Sequence, residues 1–173
     1  MRIQPLALPG TALVVHDIHT DDRGAFLQLC DPELVRDVGQ AGPFVQLNES
    51  VSRRLVLRGM HWQEPFQAKL VRVLEGEILD AVADVRRGSP TYGTYVLVQL
   101  RHDRPESLYV PAGYAHGFLV LSPMARVQYQ CDVPYAPDGQ RGIRWDDPTL
   151  GIPWKTTSPI LSAKDAALPF LKG

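Results

Sequence analysis

Cysteine is nearly absent from this chain: of its 173 residues only Cys30 and Cys131 are cysteines. Two thiols, neither in a Cys-x-x-Cys pair, exclude a disulfide-stapled scaffold and give no redox or zinc motif. An excess of charge of either sign is lacking too. Eighteen Lys and Arg stand against nineteen Asp and Glu, for a formal net charge of -1. That balance offers no basic surface for duplex nucleic acid, so an anion has to be held by a few local Arg and Lys side chains. Long apolar runs are missing as well, and no stretch approaches the length needed to span a bilayer. Pro5 and Pro9 interrupt the first residues before a signal-type apolar core forms. The expectation is a cytoplasmic chain with reduced thiols, no membrane partner and no nucleic-acid partner. Its length suits one domain, residues 1–173.

What is plentiful is punctuation. Fifteen prolines and fourteen glycines break the chain at short intervals, and the runs between them are β-branched and too short for ordinary helices. Lys69–Leu74, the Glu75-Gly76 turn and Glu77–Val85 read as two antiparallel strands. Along the second, Leu79, Ala81, Ala83 and Val85 share one face, and their small size suits a tight barrel interior or a ligand cavity. Further strands are expected at Leu13–Ile18, Ala25–Leu29, Phe44–Ser50, Thr94–Leu100, Ser107–Val110, Gly117–Leu121 and Ala125–Cys131. Two short helices have local signals. Asp31-Pro32-Glu33 supplies a cap, a proline at the first position and an early acid, for a helix to about Val38. Ser162-Ala163-Lys164-Asp165 resembles a capping box. The expected class is all-β, a jelly-roll barrel with a few short peripheral helices.

The densest polar pattern is Gln46-x-Asn48-x-Ser50-x-Ser52, then Arg58-Gly59-Met60-His61-Trp62-Gln63. Alternate strand residues share a face, and a polar row taken alone reads as a solvent-facing one. Arg58 and His61 stand instead among apolar neighbours, and a histidine beside an arginine in a barrel suits proton transfer next to an anionic group. A second cluster, Pro111-Ala112-Gly113-Tyr114-Ala115-His116, carries the Pro-x-Gly-x-x-His pattern of cupin barrels. In metal-dependent cupins a His-x-His pair joins that histidine. Here the pair reads His61-Trp62-Gln63, and two imidazoles alone make a poor metal site. No bound metal is therefore expected.

Seven ordered stretches carry a specific resemblance: Asp22–Phe26, Leu57–Gln63, Lys69–Val73, Asp84–Arg86, Ser89–Gly93, Pro111–Phe118 and Ser162–Asp165. The chain resembles, over nearly its whole length, the dTDP-4-dehydrorhamnose 3,5-epimerase family of cupin-like deoxysugar epimerases. The resemblance implies a cofactor-free isomerase that inverts C3 and C5 of dTDP-4-dehydro-6-deoxy-D-glucose, giving dTDP-4-dehydro-L-rhamnose. It makes His61 the base, Asp165 the carboxylate on its far ring nitrogen, Lys69 the cation near the C4 oxygen and Tyr129 the proton donor on the opposite face. Without the resemblance, Lys69 reads as a solvated edge-strand lysine, Asp165 as a helix cap and Tyr129 as a core tyrosine.

The same resemblance assigns Arg23, Gln46, Asn48, Arg58, His116 and Lys164 to the sugar and diphosphate, with Phe26 in the first matching stretch and Tyr135 stacking on the thymine. Gln28 and Gln140 stand where the family commonly has glutamates, which bears on which nucleotide or carbon is favoured. A homodimer with strands exchanged between barrels is also implied. Other readings are a mono-epimerase on a related nucleotide-linked 4-keto-6-deoxy sugar, a metal-dependent cupin using His61 and His116, and a silent sugar-binding cupin.

Overall fold

The structure, a computed structural model, describes residues 1–171. Alternation of inward and outward side chains, broken every few residues by Pro or Gly, yields thirteen strands and two short helices among the described residues. In chain order the strands are β1 (Arg2–Pro5), β2 (Ala12–Val15), β3 (Ile18–Asp21), β4 (Gly24–Leu27), β5 (Gln46–Arg53), β6 (Leu57–Gln63), β7 (Lys69–Glu75), β8 (Glu77–Asp84), β9 (Tyr95–Arg101), β10 (Glu106–Val110), β11 (Tyr114–Val120), β12 (Met124–Cys131) and β13 (Gln140–Gly142). The helices are α1 (Pro32–Asp37) and α2 (Ala163–Ala166). Both begin where their caps call for it, since Asp31 accepts from Leu34 N and Ser162 from Asp165 N.

Six strands in the order β1-β2-β10-β7-β12-β5 form one sheet, five in the order β13-β6-β11-β8-β9 form the other, and β3-β4 stands apart as a hairpin. The two large sheets face each other as a cupin-type jelly roll. Val71, Val73, Leu108, Val110 and Val127 of the first meet Ile78, Val82, Val96, Leu100 and Phe118 of the second between the sheets. The outer face of the six-stranded sheet is covered at Leu70 and Tyr109 by Leu34 of α1. The outer face of the five-stranded sheet is covered by the chain from Ile143 to Trp154.

Several elements differ from their sequence reading. β7 and β8 are consecutive but do not pair: the Gly76 turn carries the chain from one sheet to the other, at φ 77° and where a side chain would meet Met124 O. The small face of β8, Leu79, Ala81 and Ala83, packs outward under Ile143–Trp154, not into the barrel. Ile78, Asp80 and Val82 take the inward side. The Leu13–Ile18 run splits at His16, because His16 is buried against Ser107 (2.8 Å) while β3 leaves for the hairpin. β1, β6 and β13 were not read as strands. β6 hides its pattern behind a bulge opposite β11, and β13 is only three residues long.

That bulge has a steric cause. Gly59 sits at φ 123°, a region other residues rarely enter, and a Cβ there would lie 2.6 Å from Gly117 Cα. A Cβ on Gly117 would lie 2.7 Å from Arg58 O and 2.8 Å from Met60 Sδ. The glycine pair lets β6 and β11 close, with His61 and His116 as direct cross-strand partners. Gly117→Ala is therefore expected to destabilise the protein by about 1–3 kcal/mol, the usual range for an overpacked core. Urea unfolding measures it, and an unchanged midpoint would mean that the strands separate freely at this point.

Candidate active site

Between the sheets the packing opens into a cavity of about 410 Å³. Arg58 and His61 of β6, His116 and Phe118 of β11, Lys69 of β7 and Tyr129 of β12 line it, and Ser162, Lys164 and Asp165 around α2 close one side. A second cavity of about 300 Å³ continues from it, lined by Gln46, Asn48, Gln63, Tyr135 and Gln140. Both cavities share His61, Lys69, Tyr129 and Gln140. His61 and His116 belong to one sheet, Lys69 and Tyr129 to the other, so the groups face each other across the space.

The strongest local interaction ties α2 to β6. His61 Nε2 lies 2.6 Å from Asp165 Oδ1. Burial alone would raise the Asp165 pKa, but hydrogen bonding from His61, with help from the Gly59 backbone and Ser162, brings it below its ordinary value. An ionised carboxylate there requires the proton on Nε2, which leaves Nδ1 with the free lone pair. Asp165 is 5% exposed and serves His61. The cap of α2 comes from Ser162.

Lys69 begins β7, which runs between β10 and β12 and is not an edge strand. Burial pushes its ammonium pKa down, opposed by Cys131 and Asp80. Asp80 is a residue that sequence reasoning did not single out. It is fully buried, points into the barrel and stands 2.8 Å from His116 Nε2, an approach too oblique to complete a hydrogen bond. Its signal was present: an acid alternating with Ile78 and Val82 on a buried strand is a costly residue that calls for a partner. Burial likewise pushes the Tyr129 hydroxyl pKa up, with Cys131 and Tyr135 adding to this and Arg58 opposing it.

The polar row of β5 faces inward, against the reading as a solvent face. Gln46, Asn48 and Ser50 line the cavities, while Leu47 and Val51 are 61% and 49% exposed on the other side. Arg58 Nε donates to Ser52 Oγ at 3.0 Å. Tyr135 OH donates to Gln140 Oε1 at 2.9 Å, and Lys164 Nζ donates to the same oxygen. Three expected site residues are not brought together with the rest. Arg23, its side chain 90% exposed and paired with Asp21, and Phe26, 66% exposed, lie on the β3-β4 hairpin and line neither cavity. Gln28 follows the hairpin and donates to Asp31 at 3.0 Å. His61 and His116 each stand beside a carboxylate of their own, and among the described residues no set of three or more His, Cys, Asp or Glu is placed to hold a metal.

The family model described as dTDP-4-dehydrorhamnose 3,5-epimerase matches residues 5–173. The chain belongs to that family. A relative of the same description from Methanothermobacter thermautotrophicus is 42% identical over 168 residues, covering 95% of this chain and 91% of the relative. Among solved structures, the dTDP-6-deoxy-D-glucose-3,5-epimerase of Legionella pneumophila, in complex with dTDP-4-keto-L-rhamnose, superposes with a TM-score of 0.94 at 38% identity, covering 98% of this chain and 92% of the other. A 3'-monoepimerase from Streptomyces bikiniensis, in complex with dTDP-quinovose, gives a TM-score of 0.90 at 37% identity, with 97% and 87% covered. Family membership and a cupin-like fold are thus established together, and both agree with the resemblance carried by the seven sequence stretches.

Asp80 offers a direct electrostatic test inside this family site. A carboxylate near a buried ammonium favours its charged form, so Asp80→Asn is expected to lower the Lys69 pKa further. Titration of the Lys69 side-chain carbon signal by NMR measures it. An unmoved titration would remove Asp80 as the counter-charge.

Proposed function

We propose that this protein is an isomerase that inverts C3 and C5 of dTDP-4-dehydro-6-deoxy-D-glucose to give dTDP-4-dehydro-L-rhamnose. The observation that carries the reading is the placement of the His61–Asp165 pair on one wall of the cavity and of Tyr129 and Lys69 on the other. A ketone at C4 acidifies the protons on C3 and C5, so inversion needs a base on one face, a cation at the developing enolate oxygen and an acid on the opposite face. In this reading His61 Nδ1 takes the proton and Asp165 stabilises the imidazolium. Lys69 meets the enolate oxygen, and Tyr129 returns a proton from across the ring. One proton leaves and one arrives at each carbon with no net change in oxidation state, so the reaction requires no cofactor.

The second cavity suits the nucleotide end. Tyr135 presents an open ring at its mouth, and Lys164 and Arg58 supply cations near the junction, as a diphosphate requires. Gln140 accepts from Lys164 without neutralising it, which leaves that positive charge for the substrate. Inversion of one carbon only is a second reading, supported by the close likeness to the 3'-monoepimerase.

Solvent deuterium incorporation followed by NMR tests the reaction. Exchange at both C3 and C5 is expected, falling about 10²–10⁴-fold in His61→Ala, the usual contribution of a general base. Tyr129→Phe is expected to retain exchange while losing inverted product. Exchange at C3 alone would point to the mono-epimerase, and none at either carbon would overturn the proposal.

A homodimer belongs to the same proposal. Arg23 and Phe26 stand on an exposed hairpin away from their own cavity, and the edge strand β5 carries exposed Leu47 and Val51, with exposed Val45 just before it. Both features suit a second copy whose hairpin extends over the first copy's site. Co-expressed Arg23→Ala and His61→Ala subunits are then expected to regain activity that neither variant has alone, since one site of the mixed dimer is intact. No recovery would mean that Arg23 acts within its own subunit or not at all.

A further inference from the structure

Gln63 stands where metal-dependent cupins place a second histidine, and the proposed reaction gives it no task. It is 4% exposed, and its amide is fully used. Nε2 donates to Pro134 O at 3.0 Å and to Pro65 O at 3.3 Å, and Oε1 accepts from Ala136 N at 3.2 Å. Both nitrogen partners are carbonyls and the oxygen partner is an N–H, so the partners fix the orientation of the amide.

Pro134 and Ala136 flank Tyr135. The backbone group between them is held by a second amide: Tyr135 N donates to Gln46 Oε1 at 2.7 Å. The nitrogen of Gln46 is spent on Asn48 Oδ1 at 2.8 Å. Backbone polar groups of three successive residues, Pro134 O, Tyr135 N and Ala136 N, are thus gripped by two side chains, one from β6 and one from β5. Tyr135 itself is held by little else. Its ring is 53% exposed, lines the 300 Å³ cavity and takes part in no ring pair among the described residues, and its hydroxyl donates to Gln140.

We infer that Gln63 and Gln46 form an amide clamp that fixes the backbone around Tyr135 and so sets the place of a ring that receives the substrate's nucleobase. The inference rests on the reading of the second cavity as the nucleotide end. Gln63 is a positioning residue that acts through Tyr135 and does not touch substrate. A glutamine suits the position because it donates to carbonyls and accepts from an N–H at once, and a carboxylate would face two carbonyl oxygens without a donor. Pre-placing an aromatic platform removes the entropy of ordering it from the cost of binding.

The experiment compares wild-type protein with Gln63→Leu, Tyr135→Ala and the double variant, using calorimetry with dTDP and with inorganic pyrophosphate, and steady-state kinetics with the nucleotide sugar. Gln63→Leu is expected to weaken dTDP binding and raise KM about tenfold, the scale of one net hydrogen bond or more lost. Pyrophosphate affinity and kcat at saturation are expected to stay within about twofold, because a lost platform removes binding common to ground and transition states. Tyr135→Ala is expected to weaken dTDP similarly, and the double variant to be no weaker than either single one.

Each failure has its own signature. If Tyr135→Ala leaves dTDP affinity unchanged, the ring is not a base platform and the reading of the second cavity fails. If Tyr135→Ala weakens binding but Gln63→Leu does not, or the two losses add in full, the clamp is overturned while that reading stands. An equal loss for pyrophosphate would assign Gln63 a general structural role and overturn the clamp as well. Should Gln63→Leu not fold, Gln63→Met, which keeps the length of the side chain and removes only its amide, carries the same comparison.

Discussion

The 2.6 Å bond between His61 and Asp165 joins residues 104 positions apart, and the site takes its shape from that closure. The last helix is four residues long and has little apolar surface with which to dock. Its Asp165, turned inward against β6, fastens the end of the chain over the mouth of the barrel. Removing either partner would strand the other in a half-dry wall, and a buried charge without its partner is among the costlier defects a fold can carry. The same bond selects the tautomer of His61. Closure of the barrel and readiness of the imidazole are therefore one physical fact.

A polar cavity between two sheets imposes a second constraint, since every inward polar group needs a partner or water. The barrel meets it by inverting the pattern of β5. Gln46, Asn48 and Ser52 turn inward to bond with one another, with Arg58 or with the Tyr135 loop, Ser50 turns inward to line the cavity, and Leu47 and Val51 are left outside. An edge strand with its apolar side exposed is a liability for a lone molecule. In the proposed homodimer the hairpin β3-β4, which bears Arg23 and Phe26 clear of their own cavity, complements such an edge.

Legibility of the sequence followed locality. Helix caps at Asp31 and Ser162 are decided within four residues and were readable, as was the strand-rich rhythm. Sheet membership is decided by distant partners. Glu75-Gly76 therefore read as a hairpin although β7 and β8 lie in different sheets, and the small face of β8 was assigned inward although Ile143–Trp154 claims it. Burial of Lys69 and the inward row of β5 likewise depend on which strands neighbour them. His61, Lys69, Tyr129 and Asp165 could be gathered only through family resemblance, because they lie on three strands and a helix that no periodicity connects. Asp80 escaped notice for a different reason, and Gln63 stood out in the sequence only as the residue in place of a second cupin histidine. Each acts on a neighbour, so its importance is written in the partner's geometry and not in its own motif.

Gln140, in the cavity proposed for the nucleotide, illustrates how charge divides between structure and substrate. Gln140 accepts from both Tyr135 and Lys164. A glutamate there would make the same bonds but would also cancel the ammonium. With a neutral amide the geometry is kept and the positive charge of Lys164 remains to be matched by the ligand. Because a cation beside a half-open cavity is only partly screened, that uncompensated charge favours a dianionic diphosphate over a neutral sugar. Under the proposed function, binding energy is concentrated on the remote, unreacting part of the substrate, from which orientation at C3 and C5 can be drawn.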